Sequence, residues 1–387
     1  PCCAAMGRGG RIEKIIKAFH SLIVERLDKR LIARAWNVRP GGLHDTAELC
    51  SRVQARLPGD PTDDRLVLSF KFTESDFWRY QQWNPASLTC GDRPILYELE
   101  CQREFEGKGS IPNWQPPLWR DGPPEIADAD SRGGLATVAE QVNLAGLWAW
   151  VRGGGWGGPF VRDETWIDAN VYAVPRLADE PDLDLTRLSK DWLTQRLGVS
   201  DPAVVEVLSR ILMRSSDIAL MGFYVGPYAR SLDTAWHPNA DWIQDDLLNA
   251  DAAWRIVRRM RDSNLEESIR EKRVAADAIG ELVHDLSRCI TDANRRKLEP
   301  LVNSLLYAES LFEALRDLLA GLGAYRQYCR SRDIESSEAC RQRLLAAQSH
   351  WNHHTQRHAS LAGAASAFRE HHFWDLTQRL IGEVTAG

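Results

Sequence analysis

No stretch of the 387-residue chain approaches the ~20 consecutive apolar residues that span a bilayer, so a membrane-spanning helix is not expected. An excess of positive charge is missing too. The 48 lysines and arginines stand against 54 aspartates and glutamates, a formal net charge of −6. A protein whose main partner is a phosphate backbone needs the opposite balance, so neither nucleic acid nor a membrane is expected as a partner. The eight cysteines, at positions 2, 3, 50, 90, 101, 289, 329 and 340, form no CxxC pair and no zinc-like spacing. Scattered reduced thiols follow, with no metal centre and no cofactor implied. The glycine runs "GRGG" and "GGGWGG" lack the strand, helix and lysine of a phosphate loop. The chain opens on Pro1 and not on Met, so the compartment stays open, with the cytoplasm slightly favoured over secretion.

What the chain does carry is tryptophan: fifteen residues, roughly three times the usual share. Indoles supply flat apolar surface, which suits both a core and a sugar-binding cleft. Up to about residue 185, helix-like and strand-like segments alternate, the pattern of parallel strands joined by crossover helices. "IEKIIKAFHSLIVERL" and "TAELCSRVQARL" have helical spacing, and "LIARAWNV", "LVLSFKF", "ILYELECQREF" and "LAGLWAWV" read as strands, the last preceded by the helix-like "LATVAEQVN". Long loops rich in Trp, Pro and Gly follow the carboxyl ends of the later strands, where α/β enzymes place their sites. From about residue 186 the pattern is near-continuous helix.

The third strand poses the functional question. Ile95, Tyr97, Leu99 and Cys101 fall on one face, and Glu98, Glu100, Gln102 and Glu104 on the other. Parallel strands in such folds are covered on both faces, so an acidic face points into a barrel interior or a cleft at its mouth.

These residues resemble glycoside hydrolase family 67, the α-glucuronidases, from about residue 31 to 200. The likeness is strongest in "KFTESDF", "YELECQREFEGKG" and "PFVRDETWIDANVYAVPRLADEP". In that family a strand ending in Lys leads to a loop Asp, and the next strand, of the type E-F-Q-x-x-Q-E-Y-x-G, ends in Glu. Lys71, Asp76, Glu98, Glu104, Phe105 and Gly107 fall on that pattern, and Asp76 and Glu104 keep the family's separation of 28 positions. Gly157, Pro159 and Phe160, then Ala169, Asn170, Tyr172 and Ala173, look like its last barrel loop and the following helix. Departures fall around the sugar pocket: Phe72, Thr73, Glu74 and Ser75 replace Asn-Gly-Pro, and about five residues are inserted before Asn170.

The resemblance implies a (β/α)8 TIM barrel followed by an all-α helical domain, and inverting hydrolysis of α-linked (4-O-methyl)glucuronic acid or a related uronic acid from xylo-oligosaccharide. Asp76 and Glu104 would be the catalytic pair that activates water. The chain has four barrel strands where eight are needed. Residues 1–185 are therefore expected to be the last four strands, 186–387 the helical domain, and the general acid is expected upstream of residue 1. A uronic acid needs cations, for which Lys71, Arg79 and Arg152 are the candidates, with Glu98 beside them. Trp78, Trp83, Trp114 and Trp156 are the loop aromatics expected to stack on sugar. The partner is a uronic-acid-containing oligosaccharide, and since the family is often dimeric, the resemblance allows a homodimer through the helical domain. A noncatalytic carbohydrate-binding or assembly protein retaining the cleft, or a lyase on acidic sugars, are the competing readings.

His350, His354 and His358 lie at i, i+4 and i+8, a spacing that can bind zinc, but no acidic or Cys partner accompanies them in sequence. A polar helix surface is the expected role.

Overall fold

The computed structural model describes residues 7–35, 54–73, 79–103, 106–125, 133–151, 164–226, 243–244, 247–248, 250–358 and 371–386. Helix α1 (Gly7–His20) continues through a wider turn at Ser21–Arg26, as the spacing predicts. Four strands follow: β1 (Leu31–Ala35), β2 (Leu66–Lys71), β3 (Ile95–Glu100) and β4 (Leu144–Trp150). They form one sheet in the order β1-β2-β3-β4, and each neighbouring pair is parallel. Sequential order in a parallel sheet is the arrangement of a barrel wall. The short helices α2 (Pro116–Asp121) and α3 (Leu135–Val138) lie between β3 and β4. Of the helix expected over 46–57, only a single turn at Gln54–Arg56 lies among the described residues.

Burial follows position in the sheet. Every residue of β2 is buried, and in β3 all but Leu96 are, because neighbours and covering layers leave neither face to water. Leu68, Phe70, Ile95, Tyr97 and Leu99 share one face and join the core. Next to them Trp83 meets Tyr97 edge to face, with ring centroids 4.8 Å apart. The β1 side is more open: Ile32 is exposed, as are Ile15, Phe19, Leu22 and Leu27 on and just after α1. An apolar hollow of about 420 Å³ lies between α1 and β1.

Helices then dominate: α4 (Thr165–Asp179), α5 (Leu185–Asp191), α6 (Pro202–Phe223), α7 (Ala250–Val257), α8 (Asp262–Arg288), α9 (Arg295–Ser331), α10 (Ile334–His358) and α11 (His371–Ala386). A two-residue ribbon, β5 (Ile243–Gln244) with β6 (Leu247–Leu248), precedes α7. The start of α6 shows the local logic. Asp201 caps it by accepting from the Ala203 amide at 2.9 Å, and Pro202 takes the first helical position, where no amide hydrogen is needed. The expected fold class is found: a parallel α/β unit with the strand order of a partial barrel, then a large helical region. One continuous core runs from Ile16 to Val384. Among the described residues no helix is long and apolar enough to cross a membrane.

Where α6 crosses α9, Gly222 lies flat against the Phe312 ring, and a Cβ there would overlap that ring outright. Phe223 packs edge to face on the same ring at 5.2 Å. Gly222→Ala is expected to lower stability by about 1–3 kcal/mol through overpacking, read as a lower urea midpoint at unchanged slope.

Candidate active site

The polar face of the sheet is built by strand alternation and parallel register. Arg34 stands opposite Ser69, Lys71 opposite Glu98, Glu98 opposite Trp148 and Glu100 opposite Trp150. Arg34 grips Glu98 with two parallel bonds, Nε to Oε2 at 2.6 Å and Nη2 to Oε1 at 2.7 Å. Lys71 Nζ lies 3.8 Å from Glu98 Oε1, with both side chains buried. The Arg34 guanidinium also sits 5.6 Å from the Trp148 ring and 5.4 Å from the Trp150 ring, and Lys71 Nζ is 5.7 Å from the Trp150 ring. Trp148 donates its indole N–H to Ser69 Oγ at 2.8 Å. The acidic face read from the sequence is thus a cation–carboxylate–indole floor, in which Arg34 remains 35% exposed.

Beyond β2, Thr73 bridges to Trp83, and Asn84 ties the strand end down by donating its backbone N–H to Phe72 O at 2.8 Å and its side-chain amide to Lys71 O at 3.2 Å. Beyond β3, Arg103 and Lys108 take positive φ angles of 54° and 52°. Such angles cost energy in non-glycine residues and persist where surroundings enforce them. Gly109, at φ 78°, has no such cost, and a Cβ there would come within 2.6 Å of Ile167.

A buried network enforces this turn. Arg103 pairs with Glu106, bonding Oε2 from Nε at 3.1 Å and Oε1 from Nη2, and lies 3.5 Å from Glu100. Glu106 also accepts from Asn113 Nδ2 at 2.7 Å and from the Tyr224 hydroxyl at 2.7 Å. Asn170 of α4 donates to Cys101 O at 2.8 Å and Asn113 O at 3.0 Å, and its Oδ1 accepts from the Gln115 amide at 2.9 Å. Burial alone would push the Glu106 carboxyl up, but Arg103 first, then Arg79 and Asn113, hold it below the usual carboxylate value.

Of the expected site residues, Lys71 and Glu98 meet on the sheet floor. Arg79 does not join them. Its guanidinium is buried, pairs with Glu125 and donates to Ser216 O at 3.1 Å, so the substrate-binding role expected of it gives way to a structural tie onto α6. Trp83 and Trp114 are likewise buried and pack in the core instead of offering a face to sugar, Trp83 against Tyr97 and Trp114 with its amide donating to Ser215 Oγ at 2.9 Å. Asp76, Glu104, Arg152, Trp78 and Trp156 lie outside the described residues. Sequence reasoning missed Arg34, Trp148 and Trp150. The indoles had a signal, since residues two apart on a strand share a face.

The histidines correct another expectation. Only His350 is on the surface, paired with Asp317. His354 and His358 are buried, and both contact Ser310 Oγ, at 2.7 and 2.9 Å, because this side of α10 packs on α9 beside Tyr307. Among the described residues no group of three or more His, Cys, Asp or Glu is placed to hold a metal. Burial first, then His358, His353 and Arg357, push His354 down to about 3, and burial, then Arg357 and His353, bring His358 to about 4. Below the ordinary value of 6.5 the unfolded chain takes up protons that these folded rings refuse. Stability should therefore fall as pH drops from 6.5 toward 4, by at most ~1.4 kcal/mol per unit for each ring. Urea melts across that range check it, with His354→Gln flattening the slope.

The chain matches no protein-family model. It is 27% identical over 160 residues to proteins named probable alpha-glucuronidase A from Aspergillus fumigatus and Neosartorya fischeri, and 26% identical over 167 residues to that of Aspergillus clavatus. These matches take in 40% of this chain and 18% of each fungal protein. The fold is similar to that of a GH138 enzyme targeting pectin rhamnogalacturonan II, with a TM-score of 0.52 at 10% identity over 94% of this chain and 45% of that one. The likeness is to glycoside hydrolases as a class and does not single out family 67.

Proposed function

We propose that this chain is part of a glycoside hydrolase of the α-glucuronidase type, which removes α-linked (4-O-methyl)glucuronic acid, or a related uronic acid, from a xylo-oligosaccharide or similar glycan with inversion. In this reading residues 1–185 are the second half of a barrel and residues 186–387 a helical domain. The observation that carries it is the floor formed by Arg34, Lys71, Glu98, Trp148 and Trp150 at the carboxyl ends of parallel strands, directly ahead of the segments bearing Asp76 and Glu104. The distant likeness to probable alpha-glucuronidases supports it.

Chemically, a uronate brings a carboxylate that needs a cation. Arg34 is the partly exposed guanidinium of the floor, held in orientation by Glu98 and backed by two indoles. Inversion then needs a carboxylic acid to protonate the leaving oxygen and a base on the opposite side of the sugar, separated by roughly 6.5–9.5 Å so that water fits between. Asp76 and Glu104, in the segments that follow neighbouring strands, are the base pair in this reading.

The test is product analysis with the intact protein on glucuronic-acid-bearing xylo-oligosaccharides and on pectic fragments. Free uronic acid whose β-anomer appears first by proton NMR is expected. An unsaturated, ultraviolet-absorbing product would instead identify a lyase, and sugar binding without any release would identify a binding module.

A further inference from the structure

We propose that Tyr224 is a positioning residue for the base pair, acting by tying the chain at Arg79, shortly after Asp76 in sequence, to Glu106, shortly after Glu104. The inference rests on reading those two carboxylates as the base pair. Its basis is a single buried hydroxyl with two bonds. The Tyr224 hydroxyl accepts from the backbone N–H of Arg79 at 2.9 Å and donates to Glu106 Oε1 at 2.7 Å. Arg79 lies three residues beyond Asp76 in the chain, and Glu106 lies two beyond Glu104. One oxygen therefore ties the segment after β2 to the segment after β3.

The tie is anchored from behind. Tyr224 directly follows α6, and its own amide closes that helix by donating to Leu220 O at 3.0 Å. Lys272 of α8, fully buried, donates from Nζ to Tyr224 O at 2.7 Å and to Met221 O at 3.4 Å, a cation on the carbonyl end of a helix. Arg79 is gripped by the same helix through Ser216 O, and Tyr80 packs edge to face on the Tyr224 ring at 5.9 Å. Burial first, and then the charge of Glu106, raise the phenol well above its ordinary range, so the hydroxyl keeps its proton to donate. The residue just after α6 thus links Arg79, beyond β2, to Glu106, beyond β3. A base displaced by a fraction of an ångström loses much of its effect on bound water.

Tyr224→Phe keeps the ring and removes both bonds. In the intact protein kcat is expected to fall ~10–100-fold with KM changed less than ~3-fold. Amide exchange should speed up at Arg79 and around Glu106 while α8, α9 and α10 keep their protection. At the residual rate of Glu104→Gln, adding Tyr224→Phe should cost nothing further, since the tyrosine acts through the base pair. Unchanged kcat and unchanged exchange in Tyr224→Phe, with Asp76→Asn and Glu104→Gln inactive, would overturn the positioning role alone. A full additional loss in the Glu104→Gln background would overturn it too. Wild-type turnover in Asp76→Asn and Glu104→Gln would instead remove the base-pair reading, and the role of Tyr224 with it.

Discussion

Asp76→Asn and Glu104→Gln should each lower turnover of the intact protein at least ~100-fold on the true substrate, the scale of a lost general base. In the proposed reading each change removes one side of a pair that activates a single water. An amide of the same shape still fills the space and still bonds sugar hydroxyls, so the loss belongs in kcat more than in KM. Stability should stay close to that of the parent, because in the same reading neutralising one of two like charges relieves repulsion. The described contacts on either side do not involve their charge: the Thr73–Trp83 bridge and Asn84 tie down the end of β2, and Arg103 pairs with Glu106 beyond β3. Turnover within a few-fold of the parent in either variant would show that the residue is not a base.

Arg103→Ala should have the largest effect on stability, about 3–5 kcal/mol, enough to threaten folding at physiological temperature. The substitution leaves the Glu106 carboxylate buried with Asn113 and Tyr224 as donors and its charge partner gone. Removing both charges in Arg103→Met with Glu106→Gln should restore part of the loss, because Glu106 is then no longer a stranded buried charge, while Glu100 still loses its neighbouring guanidinium. The same pair sets a pH dependence. Glu106 is held below its ordinary value of 4.5 in the folded chain, so the unfolded chain takes the proton first as pH falls. The contribution is complete above about pH 4.5 and drains away below it, and Glu106→Gln should abolish that part of the acid limb. Urea midpoints for the single and double variants decide the matter: a double variant no better than Arg103→Ala would mean that lost packing, and not a stranded charge, is the cost.

The sheet was legible in the sequence because period-two alternation and short apolar runs are local signals, and β2, β3 and β4 fall where those runs lie. Glu98 was correctly set against the core face, yet its neutralisation by Arg34 depends on parallel register across β1, β2 and β3, which a pattern within one strand cannot reveal. Arg79 and Trp114 were misread for a related reason. Their partners, Glu125 and Ser216 for one and Ser215 for the other, lie 46, 137 and 101 residues away, and a loop cation or indole looks the same in sequence whether it faces sugar or a helix. The i, i+4 spacing of His354 and His358 was visible, but which side of α10 is buried is decided by Ser310 and Tyr307 on α9.

The setting of the described tryptophans has a spectroscopic consequence. Trp83, Trp114, Trp119, Trp166, Trp192 and Trp351 are buried, whereas Trp148 and Trp150 are half-buried beside Arg34 and Lys71. The buried indoles emit from a dry, rigid setting, at short wavelength and out of reach of a dissolved quencher such as acrylamide. Trp148 and Trp150 sit against cations that shift their emission, where an arriving sugar would shield them from the quencher. Trp148 and Trp150 are thus an optical reporter for occupancy of the floor, read against buried indoles that a ligand there leaves untouched and against Trp254 and Trp374 of the helical region.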